Sequence, residues 1–239
     1  ALGRGGKLFT KWCPPPGPMT RDIVRAAVAR ARARLRTPRI DLLQLHWWMF
    51  QHPAWIDAMK ELAILKDEGV IAHLGVTNFD TGHLRLLHDH GIPVATNQVC
   101  LSLLDRRAAG EMSRFCGGSG IRLLAYGSLA GGLLTGKWHG RPRPADGDIK
   151  DWSTMKYLRF VDQTGGWDVL QSILDAVQTV ARRHGGACSR ASRKSRRGRA
   201  PEARRARHLL RLLERRPYGR LPGAGFAVRP RASSCGYRA

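Results

Sequence analysis

Short apolar runs recur about every 25 to 30 residues through the first 186 positions, and a helix-forming stretch fills each interval. This spacing restricts the fold more than any other feature. Antiparallel neighbours need only a tight turn between them, whereas parallel neighbours need a crossover that carries the chain back, usually as a helix. The strand-like runs are Lys7–Thr10, Ile40–Leu45, Ile71–Val76, Val94–Val99 and Ile121–Tyr126. IDLLQL is apolar on both faces, as a buried parallel strand requires. After the proline-rich loop 13–18, Thr20 caps a helix whose stripe is Val24, Val28, Ala31 and Leu35, and Pro38 ends it. Pro53 suits the first turn of a second helix that buries Trp55, Met59, Leu62 and Leu65 and closes at Gly69. A third helix is expected from Asp80 to near Gly91, and a fourth from about Asp105 to Cys116. Residues 136–165, rich in Gly, Pro and Asp, read as a long loop. A strongly amphipathic helix then uses Trp167, Leu170, Ile173, Leu174, Val177 and Val180 and stops at Gly185. The expected class is α/β with a parallel sheet. A barrel and an open doubly wound sheet both satisfy the spacing.

The net charge of +23 would suggest a nucleic-acid partner if it were spread evenly. It is not. Residues 187–239 hold 16 of the 41 basic and 2 of the 18 acidic side chains, or +14, and leave +9 for the first 186 positions. The division expected is a folded unit over 1–186 and a disordered Arg-rich tail over 187–239. Two readings of the tail stand. It is a solvated basic tail that contacts nucleic acid or acidic surfaces, or it is GC-rich DNA translated out of frame. The abruptness of the change, where another strand-helix unit is due, favours the second. The five cysteines are odd in number and widely scattered, so neither a metal centre nor a disulfide framework is expected. With no apolar run of membrane-spanning length and no signal-peptide core at the start, the expected setting is cytoplasm or organelle stroma.

In βα barrels, functional groups gather at the carboxyl ends of the strands. Those ends read Lys11, His46, Thr77 and Asn78, Asn97 and Gln98, and Tyr126. Every one is polar or titratable after a mostly apolar run. Taken singly, Lys11 would be a solvated lysine, His46 or Tyr126 a core residue, and the threonine and amides ordinary strand-end caps. Taken as a series they describe one functional edge. By contrast, His73, His83, His88 and His90 lack ligand spacing and read as solvated, and Arg25, Arg30, Arg32, Arg34 and Arg36 read as the wet face of one helix. For Trp47 and Trp48, substrate contact and apolar packing are equally open.

The blocks LFTKW (8–12), IDLLQLHWW (40–48), LKDEGVIAHLGVTNFD (65–80), TNQVCLSLLDRR (96–107) and LLAYGSLAGGLLTGKW (123–138) resemble, in order and spacing, the aldo-keto reductase family. WSTMKY (152–157) and Gly165–Trp167 resemble a branch of it with a long loop before the penultimate helix. The resemblance implies a TIM (β/α)8 barrel, here partial, with about five of eight strands. It implies NADPH-dependent reduction of an aldehyde or ketone by hydride transfer. Lys11 matches the lysine of the family's Asp-Tyr-Lys-His tetrad, and His46 the histidine that orients the carbonyl. Thr77, Asn78 and Gln98 match the residues that hold the nicotinamide carboxamide, and Tyr126 the aromatic that stacks on its ring. Gly127, Ser128 and Leu129 match the loop around the pyrophosphate. The chemistry demands such a group: an oxygen that accepts negative charge needs a positioned acid, and a nearby ammonium lowers the pKa of a phenol.

The tetrad tyrosine and aspartate belong to the unit before the LFTK strand, and the final unit that grips the 2′-phosphate belongs after Gly185. Neither is recognisable in this sequence. Five strands without closure leave two unpaired edges, so poor folding and no reductase activity are expected of the 239 residues as they stand. Two other functions share the residues: a basic scaffold that binds nucleic acid through the tail, and a potassium-channel β-subunit-like regulator that binds the cofactor without turnover.

Overall fold

A computed structural model describes residues 6–145, 147–183 and Gly186. Five strands and six helices alternate in it: β1 (Phe9–Trp12), α1 (Arg21–Leu35), β2 (Ile40–His46), α2 (Trp55–Asp67), β3 (Ile71–Thr77), α3 (Thr81–Asp89), β4 (Thr96–Cys100), α4 (Glu111–Gly118), β5 (Arg122–Tyr126), α5 (Trp152–Gln163) and α6 (Trp167–Arg183). All four strand pairings are parallel, and the sheet order is β1-β2-β3-β4-β5. That order resolves the ambiguity left by spacing. A doubly wound sheet reverses direction at a switch point, whereas a barrel adds each strand beside the last.

Local chemistry sets the helix ends. The Thr20 hydroxyl and the Asp80 carboxylate accept the backbone N–H of Ile23 (3.4 Å) and His83 (2.9 Å), so each caps the helix that the sequence places after it. At the far end of α2, Gly69 takes φ +78° while its N–H bonds Lys66 O and that of Val70 bonds Leu65 O, the reciprocal closure favoured by glycine. Pro53 lies in the turn just before α2 rather than in its first turn.

The main core is the seam between helices and sheet. Leu43 and Leu45 of β2 and Leu74 and Val76 of β3 pack with Val24 and Val28 of α1, Trp55, Met59, Leu62 and Leu65 of α2, and Leu84 and Leu87 of α3. Between α1 and α2 the Arg25 guanidinium bonds both Glu61 and Glu68, so this arginine is a strut and not part of a wet face. His83 also departs from the solvated reading, since its ring meets those of Phe50, Trp55 and Phe79.

Several elements differ from those read in the sequence, and β4 runs Thr96–Cys100 rather than Val94–Val99. β1 lies two residues later than Lys7–Thr10, because Leu8 O receives the N–H groups of Asp41 and Leu42 and fixes the ladder from there. α4 begins at Glu111, since Asp105 is occupied in a tight turn. The stretch 136–165 contains a twelve-residue helix, α5, capped by Asp151 through the Thr154 N–H at 2.7 Å. α5 packs against α6 and against the turn Ala130–Gly132. Among the described residues no helix is long and apolar enough to cross a membrane. The end of α6 at Gly185 and the tail 187–239 lie outside the described residues.

Candidate functional site at the strand tips

The side chains of one sheet face can be followed strand by strand. A Cβ placed on Gly75 would collide with Thr96 Oγ1 and lie 3.0 Å from Gln44 Cγ, so these three residues of β2, β3 and β4 share a face. Side chains alternate along a strand and registered partners point the same way. From Lys11 opposite Gln44, His46 opposite Thr77, Thr77 opposite Gln98 and Cys100 opposite Tyr126, the same face carries Lys11, His46, Thr77, Gln98 and Tyr126. It is the face turned away from the helices of the main core. Asn97 points the other way: its amide donates to Phe79 O at 2.9 Å and is fully buried, a structural role.

The tips are joined to one another. Asn78, at φ +59°, leaves β3 with its N–H on Gln98 O (2.9 Å), and its side-chain oxygen accepts the Tyr126 hydroxyl at 2.9 Å. β3, β4 and β5 therefore meet at Asn78. At the other end of the row the His46 ring packs on Trp48, centroids 4.2 Å apart, and the Trp48 indole N–H reaches Cys13 Sγ. Trp47 is a core residue, 2% exposed, so the two tryptophans have different fates. Burial, and then the nearby Lys11 ammonium, pull the His46 pKa down to about 4, which leaves its imidazole neutral at ordinary pH.

Buried polar atoms without a partner mark where a ligand is missing from the hydrogen-bond inventory. Of the five such atoms among the described residues, His46 Nε2, Thr77 Oγ1 and Thr96 Oγ1 lie on this face, whereas Asn97 Oδ1 and Arg32 Nε lie elsewhere. A flat polar amide would satisfy such a row. The donors and acceptors of Thr77, Asn78 and Gln98 thus fit a nicotinamide carboxamide.

The glycine-rich loop after β5 is held from behind. Gly127 adopts φ +65° with the Tyr157 ring packed against its α-carbon, and Gly131 O accepts the Thr154 hydroxyl at 2.8 Å. α5 is therefore the brace of the segment Gly127, Ser128 and Leu129. Three further groups stand around Tyr126 that the strand-tip pattern could not supply. The Lys156 ammonium lies over the rings of Tyr126 (5.5 Å) and Tyr157 (5.4 Å). Cys100 Sγ lies behind Tyr126, 4.0 Å from the Tyr157 hydroxyl, and burial pushes its thiol up to about 11. Arg107, in the loop after β4, is near enough for its charge to favour the Tyr126 phenolate, although burial, the larger influence, raises that pKa. Cys100 was legible in principle, two residues beyond Gln98 on the same face. Lys156 and Arg107 were not, since loops and a missed helix bring them in.

Comparisons with known proteins agree with this geometry. Residues 7–192 match the model of the aldo/keto reductase family. The chain is 30% identical over 203 residues to flagellar radial spoke protein 5 of Chlamydomonas reinhardtii, covering 73% of this chain and 38% of that protein. It is 30% identical over 192 residues to protein tas of Escherichia coli, covering 72% and 54%. Among solved structures, glycerol dehydrogenase of Gluconobacter oxydans superposes with a TM-score of 0.58 at 28% identity, over 71% of this chain and 49% of that one. The chain thus spans about half the length, or less, of these relatives. Five parallel strands added in sequence order, a row of polar tips on one face and a family match over most of the length have one explanation: the chain belongs to the aldo/keto reductase family.

Proposed function

We propose that this chain carries the nicotinamide half-site of an NADP(H)-dependent reductase of aldehydes or ketones. The observation that carries the reading is the pair of buried, unpartnered polar atoms on the adjacent tips of β2 and β3, His46 Nε2 and Thr77 Oγ1, beside the Asn78–Tyr126 bond. Thr77, Asn78 and Gln98 hold the carboxamide and so fix which ring face is offered. Tyr126 stacks on the ring, and Gly127, Ser128 and Leu129 lie along the pyrophosphate, where backbone N–H groups suit phosphate oxygens. The cofactor, when bound, supplies the hydride.

Lys11 and His46 serve the carbonyl. Neutral His46 can donate an N–H to a substrate oxygen, and Lys11 places a positive field beside it. The acid is the weak link. Tyr126 sits on β5, four strand spacings from Lys11 on β1, or roughly 19 Å along the sheet. Tyr157 is buried, and burial raises its pKa. Neither phenol is served by the Lys11 ammonium. Served by the described residues alone, the site is therefore expected to bind the cofactor and to turn over carbonyls slower than a complete reductase by on the order of 10² to 10⁴.

Titrating the full chain with NADPH and with NADH, followed by energy transfer from tryptophan to the reduced nicotinamide, tests the reading. Saturable binding that weakens at least about tenfold in Asn78→Ala and Tyr126→Ala supports it. Failure of both cofactors to bind folded protein removes it.

A further inference from the structure

Next to Tyr126 the loop 101–107 is built around a buried carboxylate. Asp105 is 5% exposed, and the Ser102 hydroxyl accepts the N–H groups of Leu104 and Asp105 to tighten the turn that carries it. Both carboxylate oxygens accept from Arg107, Nε donating to Oδ1 at 2.9 Å and Nη2 to Oδ2 at 2.7 Å, and the Cys100 thiol is a further partner. Yet the Arg107 side chain remains 75% exposed. A guanidinium has five N–H donors, and this pairing uses two. The remaining ones are presented to solvent by a head that cannot swing away.

An exposed arginine is normally mobile, and ordering it for a ligand costs side-chain entropy. Here the buried aspartate has already ordered it. The loop that carries it starts on Tyr126, where the Leu101 N–H bonds Tyr126 O at 3.1 Å and the Ser102 N–H bonds Asp105 O at 2.9 Å. A second cation stands by the same tyrosine, since the Lys156 ammonium lies 5.5 Å from the centre of its ring. The one carboxylate in this group, Asp105, is already engaged. Two cations, one on the loop anchored to Tyr126 and one over its ring, are the donor set an oxyanion calls for.

We propose that Arg107, positioned by Asp105, and Lys156 recognise a carboxylate or phosphate on the substrate, so that the site prefers carbonyl compounds that carry an oxyanion. For the carbonyl this rests on the reductase reading above, whereas the anion site stands on its own geometry. Its planar fork suits bidentate capture of an oxyanion, and a hydrogen bond between charged groups outweighs a neutral one.

The test compares three probes on the full chain by ligand-observed saturation-transfer NMR: 4-formylbenzoate, its neutral methyl ester, and 4-formylphenyl phosphate. The phosphate and carboxylate arms tell the two oxyanions apart. At least one anionic probe should bind about tenfold or more tightly than the ester, with the ratio shrinking as salt is raised. Arg107→Leu should bring that ratio close to one, Lys156→Leu should reduce it at least threefold, and Asp105→Asn should reduce it while keeping every cation. If Arg107→Leu loses its near-ultraviolet circular dichroism, Lys156→Leu decides. A ratio near one in the unaltered protein overturns the proposal, as does a ratio unchanged in both variants. It is equally overturned if Arg107→Leu loses NADPH affinity while the ratio is kept, because the cation then serves the cofactor's phosphates. NADPH titrated into the same samples separates the two readings. Anion preference without NADPH binding removes the reductase reading alone, and NADPH binding without preference removes this one alone.

Discussion

Gly127→Ala tests the support behind the candidate site most directly. At φ +65° an alanine pays for a left-handed backbone, roughly 1 to 2 kcal/mol. Its Cβ would also collide with the Tyr157 hydroxyl and sit 2.7 Å from Tyr157 Cζ and 3.1 Å from Cys100 Sγ. Overpacking of that kind typically costs about 1 to 3 kcal/mol. Together the substitution should destabilise by about 2 to 5 kcal/mol, a large part of a stability that is usually about 5 to 15 kcal/mol. Tyr157→Phe alone should cost no more than about 1 kcal/mol, since its hydroxyl accepts only a long hydrogen bond from Cys100 Sγ, at 4.0 Å, among the described residues. In the double variant the hydroxyl collision is gone but the Cζ contact remains. The two changes should therefore be non-additive, with about 1 kcal/mol of mutual relief. Urea unfolding of the four proteins, followed by tryptophan fluorescence, measures the cycle. A cost under about 1 kcal/mol for Gly127→Ala, or strict additivity, would refute the claim that Tyr157 holds this loop.

Other perturbations separate the remaining parts. His46 has its pKa lowered to about 4 on folding, so the unfolded chain binds the extra proton between that value and about 6.5. Stability contributed by neutral His46 is present above pH 6.5 and is lost as pH falls towards 4, by about 2 kcal/mol after allowance for partial exposure; His46→Gln should flatten that slope in pH-dependent urea melts. Tyr126→Phe removes the bond to Asn78 but keeps the ring, so stability should fall by about 0.5 to 1.5 kcal/mol while NADPH affinity changes less than in Tyr126→Ala; a larger affinity loss for Phe would sink the stacking role. Arg25→Met should lower the melting temperature more than Arg21→Met, because Arg25 bonds Glu61 and Glu68 whereas Arg21 only approaches Glu61 at 3.8 Å.

The sheet and the polar row along its edge were legible because both follow from periodic chemistry. The stripe of α1 and the apolar runs of β2 and β3 follow from burial, which acts on each element separately. Strand ends in a parallel sheet all face one way, so Lys11, His46, Thr77, Gln98 and Tyr126 could be placed together without coordinates. α5 was missed although Thr154, Tyr157, Leu158 and Val161 recur at helical spacing after a capping Asp151. The glycines and prolines on its flanks outweighed that short signal. By sequence pattern Asp105 is a helix start, which is the common use of an aspartate before an apolar stretch. Its actual partner is a guanidinium two residues on, a choice that depends on burial and not on sequence pattern.

Why the strand tips hold their geometry in a five-stranded sheet follows from how they are joined. Each link in the row lies between adjacent strands: Lys11 beside Gln44, His46 beside Thr77, Asn78 on Gln98, and Cys100 beside Tyr126. None of these links uses a strand beyond β1 or β5, and the β5 loop is braced by α5 from the same chain. Ladder hydrogen bonds and local packing are short-ranged, so they set the mutual positions of the groups from Thr77 to Tyr126 without closure of a barrel. The Lys11 end of the row has no such protection. Lys11 stands on β1, which pairs on one side only among the described residues, and Phe9 beside it is 62% exposed. An edge strand with an exposed aromatic frays and recruits other strands more readily than a paired one. Hydrogen exchange should therefore find amides of β1 less protected than those of β3, and the Lys11 end of the row less ordered than the end at Asn78 and Gln98.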